Sequence, residues 1–377
     1  MTLVAAKHAP FRFDQVGSLL RPTALKEARE KFAEGEIDRA ALSRVEDEEI
    51  RKIVAKQVET GLKAVTDGEF RRSWWHLDFL AGLNGVETYS QNASYKFHGA
   101  KTRDTNVRFV DKVSYNPDHP FFAAFKFLNS IVPEGVLAKQ TIPSPSLYFR
   151  DNRSDNAPKF YETREAFLTD LSKAYRETIQ HFYDLGCRYL QLDDTTWAFL
   201  IDQIINAKNA DEKAKYEQIA ADSVTAINGA LENKPEDLTV TMHICRGNFK
   251  STFLFSGGYG PVASYLSKLN IDGYFLEYDN ERSGDFSPLG EIYKDGSSKK
   301  VVLGLITSKF PELEAEDLLQ KRIKEATEYV PLENLCLSTQ CGFASTEEGN
   351  KLTEDQQWAK LKLVVDTAKK VWTDAED

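Results

Sequence analysis

The chain has little cysteine, methionine or histidine: four Cys, two Met and six His among 377 residues. Cys187, Cys245, Cys336 and Cys341 are too few and too scattered to staple a disulfide scaffold, so a reducing, cytoplasmic setting is expected. No apolar run approaches the ~18–20 residues that span a bilayer, and residues 1–10 lack the apolar core of a secretory signal. No glycine-rich dinucleotide fingerprint follows the first strand-like stretch, and no Gly-x-x-x-x-Gly-Lys-Ser/Thr phosphate loop occurs. An excess of positive charge is missing too. With 48 Lys and Arg against 58 Asp and Glu, the net charge of −10 disfavours nucleic-acid and anionic-membrane partners.

What is present is ample for a large core, with 41% hydrophobic and 28% charged residues. Short apolar stretches recur at 11–20, 61–66, 136–142, 188–192, 238–245, 273–278, 301–306 and 335–339. Helical spacing separates or follows them at 23–34, 41–61, 121–131, 164–185, 196–207, 213–232 and 353–372. Residues 84–118 are polar and irregular and read as an insertion, in the form of a hairpin. Eight strand candidates alternating with helices, without a nucleotide motif, predict a parallel α/β fold. The expected architecture is one (β/α)8 TIM barrel over residues 1–377, with N-terminal helical and loop elaborations.

Such barrels carry their chemistry at the C-terminal ends of the strands. Ser18, Glu69, Asp193, His243, Cys245, Glu277 and Cys341 all fall at those ends. His243 and Cys245, two residues apart, point to one side of a strand. Cys341 shares the alternation of Leu337 and Thr339 and is expected to join them at the mouth. Cys336 faces the other way as a small buried hydrophobe, and Cys187 gets the same reading. One nitrogen and two sulfur donors suit zinc, and an oxygen donor completes a tetrahedron. Glu277, following Tyr274-Phe275-Leu276 in an apolar strand, is a carboxylate that needs a partner. That partner is the metal or an arginine such as Arg246 or Arg282.

The ordered set His243-Ile244-Cys245, Asp272-Gly273-Tyr274-Phe275-Leu276-Glu277 and Gln340-Cys341-Gly342 resembles the zinc site of cobalamin-independent methionine synthases. Val16-Gly17-Ser18 resembles that family's Ile-Gly-Ser, Asp67-Gly68-Glu69 its His-Gly-Glu, and Gln191-Leu192-Asp193-Asp194 its Gln-Ile-Asp-Glu. The resemblance covers nearly the whole chain and implies a single-barrel member, similar to the C-terminal catalytic domain of the longer enzymes. It implies a zinc-dependent methyltransferase acting on homocysteine, with a methylated folate or related methyl donor. Zinc would be held by His243, Cys245, Glu277 and Cys341. Homocysteine would meet Val16, Gly17 and Ser18, with Glu69 and Asp193 taking its amino group. One departure stands out: Leu305-Ile306-Thr307-Ser308-Lys309 has Thr307 where the family carries a histidine that helps protonate the folate leaving group. The family's folate-stacking tryptophan has no clear counterpart either, although Tyr148 and Phe149 lie near in order.

Other residues fit the scheme less directly. Trp74-Trp75-His76 lines or caps the mouth, and Arg71 with Arg72 meets a folate tail or forms a solvated pair. His8, His98 and His119 are expected exposed, His181 on a helix surface, and Glu46–Glu49 on a solvated helix face. Rival readings are a metal-free decarboxylase barrel, a non-catalytic zinc- or thiol-binding protein, and an alkyltransferase with another methyl donor or thiol acceptor. The oligomeric state is left open.

Overall fold

A computed structural model of the chain describes residues 9–91, 96–97, 100–101, 104–294 and 296–376. Seven strands pair in parallel and in chain order: β1 (Ala64–Val65), β2 (Leu137–Pro143), β3 (Tyr189–Asp194), β4 (Thr239–Ile244), β5 (Gly273–Glu277), β6 (Lys300–Ile306) and β7 (Leu335–Thr339). Helices α1 (Thr23–Ala33) and α2 (Arg39–Thr60) precede β1, and α3 (Pro120–Ile131), α4 (Arg164–Asp184), α5 (Thr196–Ile205) and α6 (Ala210–Ala230) lie between the next strands. Parallel neighbours joined through helices curl the sheet into a TIM-type barrel. Within 84–118, Asn84–Ser90 pairs antiparallel with Thr105–Ser114.

The eighth stave differs from the sequence reading. Residues 11–20 form no strand, and only Phe13 makes a parallel bridge, to Leu337. Asp14 N–H donates to Leu337 O at 3.0 Å, and Leu337 N–H donates to Arg12 O at 2.8 Å. Toward β1, side chains replace the ladder: Thr66 Oγ1 donates to Gly17 O at 2.6 Å, and Gln15 Nε2 to Ala64 O at 3.4 Å. Gly17 explains part of this, since its φ of +139° breaks extended geometry. A Cβ at that position would also lie 2.8 Å from Thr141 Cγ2.

Strand alternation sorts the side chains into two layers. Leu190, Leu192, Met242 and Ile244 pack with the helices in one large core, whereas Gln191 and Asp193 turn toward the N-terminal segment. Helix α4 shows why the outer layer forms. Thr163 caps it by accepting from Ala166 N–H, and Leu168, Leu171, Tyr175, Ile179 and Phe182 form a stripe at helical spacing. Burying each apolar side chain contributes roughly 1.5–3 kcal/mol. At the lower end of the barrel, Lys139 Nζ pairs with Asp14 Oδ1 at 3.2 Å, and Tyr189 OH donates to Asp14 Oδ2 at 2.8 Å. Burial lowers the Lys139 pKa despite the Asp14 partner.

Three surface expectations fail, wholly or in part, for one reason: polar side chains have partners inside. Glu46 is fully buried among Arg29, Arg39 and Arg71, and Glu49 is buried as well, so of 46–49 only Asp47 and Glu48 reach solvent. Arg71 pairs with Glu46 and Asp47, whereas Arg72 is buried and binds Thr141 O at 2.7 Å and Glu69 Oε1 at 3.2 Å. Neither arginine forms a solvated pair. His119 is buried, not exposed: Nδ1 accepts from Phe121 N–H at 3.2 Å, capping α3, and Nε2–H reaches Phe79 O at 3.0 Å. His181 is half-buried and stacks on Phe122 at 3.8 Å between centroids. His8 and His98 lie outside the described residues.

Burial lowers the His119 pKa from 6.5 to about 4. Its neutral form therefore stabilises the fold above pH 6.5, and that contribution is lost as pH falls from 6.5 to about 4. The shift corresponds to about 3 kcal/mol. His119→Asn keeps a capping acceptor without the titration. Between pH 7 and pH 4 its unfolding free energy, measured in urea, should fall about 3 kcal/mol less than that of the wild type.

Candidate metal centre and active site

The C-terminal mouth gathers the polar residues that the strands deliver. The register sets Asp193 of β3 beside His243 of β4, and Glu277 of β5 beside Gly304 of β6. Among the described residues, His243, Cys245, Glu277 and Cys341 form a group whose donor atoms all lie within 4.8 Å of one another. All four are buried, and the Cys245 and Cys341 sulfurs are 3.6 Å apart.

Cys341 arrives by a different route from the one expected. On β7 it is Cys336 that faces the barrel interior, packed with Val16, Phe275 and Val302, while Leu337 joins the helix-side core. Cys341 lies beyond the end of β7, where strand alternation no longer applies. The turn that carries it is fixed from the loop after β6. Gln340 Oε1 accepts from Ser308 N–H at 2.6 Å, and Gly342 O accepts from Ser308 Oγ at 3.1 Å and Asn248 Nδ2 at 2.7 Å.

Among the described residues, neither nitrogen of buried His243 has a well-formed hydrogen bond, although Cys341 lies close enough to act on it. Burial opposes charge on His243, but Cys341 and the nearby carboxylates outweigh it and raise its pKa. The two thiols share a proton unequally. The hydrogen bond from Cys245 holds the Cys341 thiol well below its usual pKa, and the same contact drives Cys245 up. Glu277 accepts from Arg246 N–H at 3.0 Å through Oε1 and from Arg282 Nη2 at 2.7 Å through Oε2. It is thus both a member of the cluster and a partner of Arg282. An imidazole with two unused nitrogens, a thiol–thiolate pair and a carboxylate match a thiophilic divalent cation such as zinc.

Beside this cluster a small cleft is lined by Val16, Ser18, Glu69, Asp193, His243 and Cys341, among others. Glu69 Oε1 accepts from Thr141 Oγ1 at 2.9 Å, but Oε2 is buried without a partner. Its backbone sits at φ +62°, an uncommon conformation for glutamate that stores strain at the site. Asp193 Oδ1 accepts from Gln191 Nε2 at 2.7 Å, and the same amide donates to Val16 O at 2.7 Å. Burial raises the Glu69 pKa and pushes Asp193 up to about 7. Two buried carboxylates, one with an unused oxygen, form a receptor for a small cation such as an ammonium group. Gly17 and Glu277 stand just behind this lining rather than in it.

Trp75, Cys245 and Ser345 line both this cleft and a second one that holds Trp74, His76, Phe249 and Phe255. Phe249, Phe255 and Ser345 belong to no sequence motif, and nothing in the spacing pairs the tryptophan run with them. Thr307 lines neither cleft: its N–H donates to Glu314 Oε1 at 2.8 Å, and its hydroxyl donates to Gln340 Oε1 at 3.4 Å. Tyr148 is fully buried with its OH on Leu80 O at 2.8 Å, whereas Phe149 lines an outer groove of about 790 Å³.

A nitrogen–sulfur–oxygen cluster at the mouth of a parallel barrel, beside two buried carboxylates, defines a barrel built for a thiophilic cation and a small polar ligand. Residues 13–370 match the model of the cobalamin-independent synthase catalytic domain, and the chain belongs to that family. It is 48% identical to the uncharacterized protein YxjH of Bacillus subtilis strain 168, over 97% of this chain and 96% of that one. A Listeria monocytogenes protein solved as a candidate vitamin-B12 independent methionine synthase is 44% identical, with TM-score 0.78 over 97% of this chain and 98% of that one. The 5-methyltetrahydropteroyltriglutamate–homocysteine methyltransferase of Thermotoga petrophila is 21% identical over 94% of this chain but only 44% of its own length.

Gly342 is the tightest steric constraint in the cleft. A Cβ there would lie 2.0 Å from Ser18 Oγ and 3.0 Å from Ser18 N. Gly342→Ala should therefore displace Ser18 and destabilise the fold by about 1–3 kcal/mol, seen as a lowered Tm. An unchanged Tm would show that the Ser18 segment yields freely.

Proposed function

We propose that this chain transfers a methyl group to the thiol of homocysteine, giving methionine, with zinc held by His243, Cys245, Glu277 and Cys341. The observation that carries this reading is the buried donor set, with its atoms within 4.8 Å, facing the same cleft as Glu69 and Asp193. Bound there, zinc would keep a substrate thiol, whose free pKa is about 8.5, in its thiolate form near neutral pH.

The chain's own residues do the rest. Glu69 and Asp193 take the substrate ammonium, which supplies the partner that Glu69 Oε2 lacks. The Ser18 hydroxyl, with a neighbouring backbone amide in the Val16-Gly17-Ser18 turn, holds the carboxylate. Glu277 already rests on Arg282 and the Arg246 N–H, so it has a place to stay when a thiol enters the cluster. Held at both ends, the substrate presents its sulfur toward Cys245, one of three residues that line both clefts. The methyl donor approaches from the second cleft, so positioning supplies much of the rate. The methyl source is a methylated folate or a related donor. A second reading, an alkyltransferase with a non-folate donor or another thiol acceptor, is favoured by Thr307, which lines neither cleft.

This reading treats residues 1–377 as one catalytic barrel with 84–118 inserted in it. The partners are small molecules, and among the described residues no helix is long and apolar enough to cross a membrane. The reduced cysteine pair suits a reducing compartment, the cytoplasm.

Metal analysis and calorimetry test the proposal together. Wild type should carry about one zinc per chain and bind homocysteine with release of a proton, read from the buffer dependence of the heat. Cys341→Ser should lose most of the zinc and the proton release. A wild type that holds zinc but ignores homocysteine would favour the non-catalytic binding protein, and one that holds neither would end the zinc reading.

A further inference from the structure

Three lysines are buried among the described residues, and one of them has no carboxylate beside it. Lys139 pairs with Asp14 Oδ1 at 3.2 Å and Lys360 with Glu314 Oε2 at 3.0 Å, whereas Lys309, 2% exposed, makes no ion pair. The polar contact of its ammonium is Asn248 Oδ1 at 3.5 Å, a long hydrogen bond to a neutral amide. A buried charge without a compensating one is costly, and a single amide dipole offsets only part of that cost. The loop after β6 nevertheless holds the residue in place. Lys309 N–H donates to Thr307 Oγ1 at 3.2 Å, Ser308 is tied to Gln340 and Gly342, and Asn350 Nδ2 donates to Ser308 O at 2.6 Å.

The negative charge that answers Lys309 is supplied by the cysteine cluster. Asn248 follows Cys245 by three residues, and its Nδ2 donates to Gly342 O at 2.7 Å, next to Cys341. Lys309 therefore abuts the joint between the two cysteine-bearing segments. Its charge favours the thiolate form of both Cys245 and Cys341. Resting on the zinc and homocysteine reading above, we propose that Lys309 is a specificity-determining residue, a fixed counter-charge that makes the centre prefer an anionic sulfur to a neutral one. Charge counting gives the reason. With zinc in place, two thiolates leave no net charge once Glu277 rests on Arg282, and an incoming thiolate adds one negative charge that Lys309 cancels. Methylation turns that sulfur into a neutral thioether. Lys309 is then in excess, and return of the Glu277 carboxylate restores the balance as the product leaves. Substrate and product share their ammonium and carboxylate, so discrimination between them rests on the sulfur.

Calorimetry on zinc-loaded protein compares homocysteine with methionine, which carries the same ammonium and carboxylate on a neutral sulfur. Lys309→Met, similar in length but uncharged, should weaken homocysteine about tenfold or more. It should leave methionine within about twofold of wild type, with zinc content unchanged. Lys309→Arg, which keeps the charge, should restore most of the homocysteine affinity. A merely structural role gives another pattern, since loosened packing at the Asn248–Gly342 joint would weaken both ligands alike. Equal homocysteine affinity in wild type and Lys309→Met, parallel losses for both ligands, or loss of zinc from Lys309→Met overturns the proposal. If circular dichroism shows that Lys309→Met does not fold, Lys309→Gln carries the same comparison. Failure of the parent reading looks different: wild type then holds no zinc or ignores homocysteine before any substitution is made.

Discussion

Two thiols, a carboxylate and an imidazole are buried within a few ångströms of one another, and that crowding governs the mouth of this barrel. Such a group is poor in positive charge and rich in soft donors, so its electrostatics improve when a cation enters. Everything around it preserves the arrangement. The turn after β7 is tied to the loop after β6 through Gln340 and Ser308, and Gly342 lets Ser18 lie against the turn. Arg282 and the Arg246 N–H hold Glu277. A carboxylate with these partners can be exchanged without being stranded as a bare buried charge.

The same logic extends to the substrate side. Glu69 and Asp193 are carboxylates whose pKa values are raised by burial, even though Arg72 offsets part of it for Glu69 and His243 for Asp193. Glu69 is positioned by a left-handed backbone and by Arg72, itself anchored on Thr141. Groups kept short of protein partners are the ones a ligand would satisfy. The Glu69–Asp193 pair and the His243–Cys245–Glu277–Cys341 cluster are two cases of this principle, meeting in the cleft that Trp75 and Cys245 line.

Much of this was legible in the sequence because barrel chemistry lies at strand ends. His243 and Cys245 are set by simple alternation, and Glu277 stood out as a carboxylate in an apolar strand. The failures are equally physical. Residues 11–20 look like a strand, yet Gly17 breaks extended geometry, and the side chains of Asp14, Gln15 and Thr66 make closures where the pattern predicts a ladder. Extending the β7 alternation past the strand end does not place Cys341, because Leu337 faces the helices; the turn after β7 brings Cys341 to the cluster. Glu46, Arg72 and His119 read as surface residues because their partners are remote in sequence: Arg71 for Glu46, Thr141 for Arg72 and Phe79 for His119. Local pattern carries no information about such long-range satisfaction.

X-ray absorption at the zinc edge probes the central claim most directly, because it counts sulfur neighbours without requiring a methyl donor. Zinc-loaded protein should show two sulfurs at about 2.3 Å with lighter donors completing the shell. Adding homocysteine should raise the count to three sulfurs as the Glu277 oxygen withdraws. A shell that stays at two sulfurs with homocysteine bound would contradict thiol activation at the metal, and a shell of lighter donors alone would contradict the assignment of Cys245 and Cys341 as ligands.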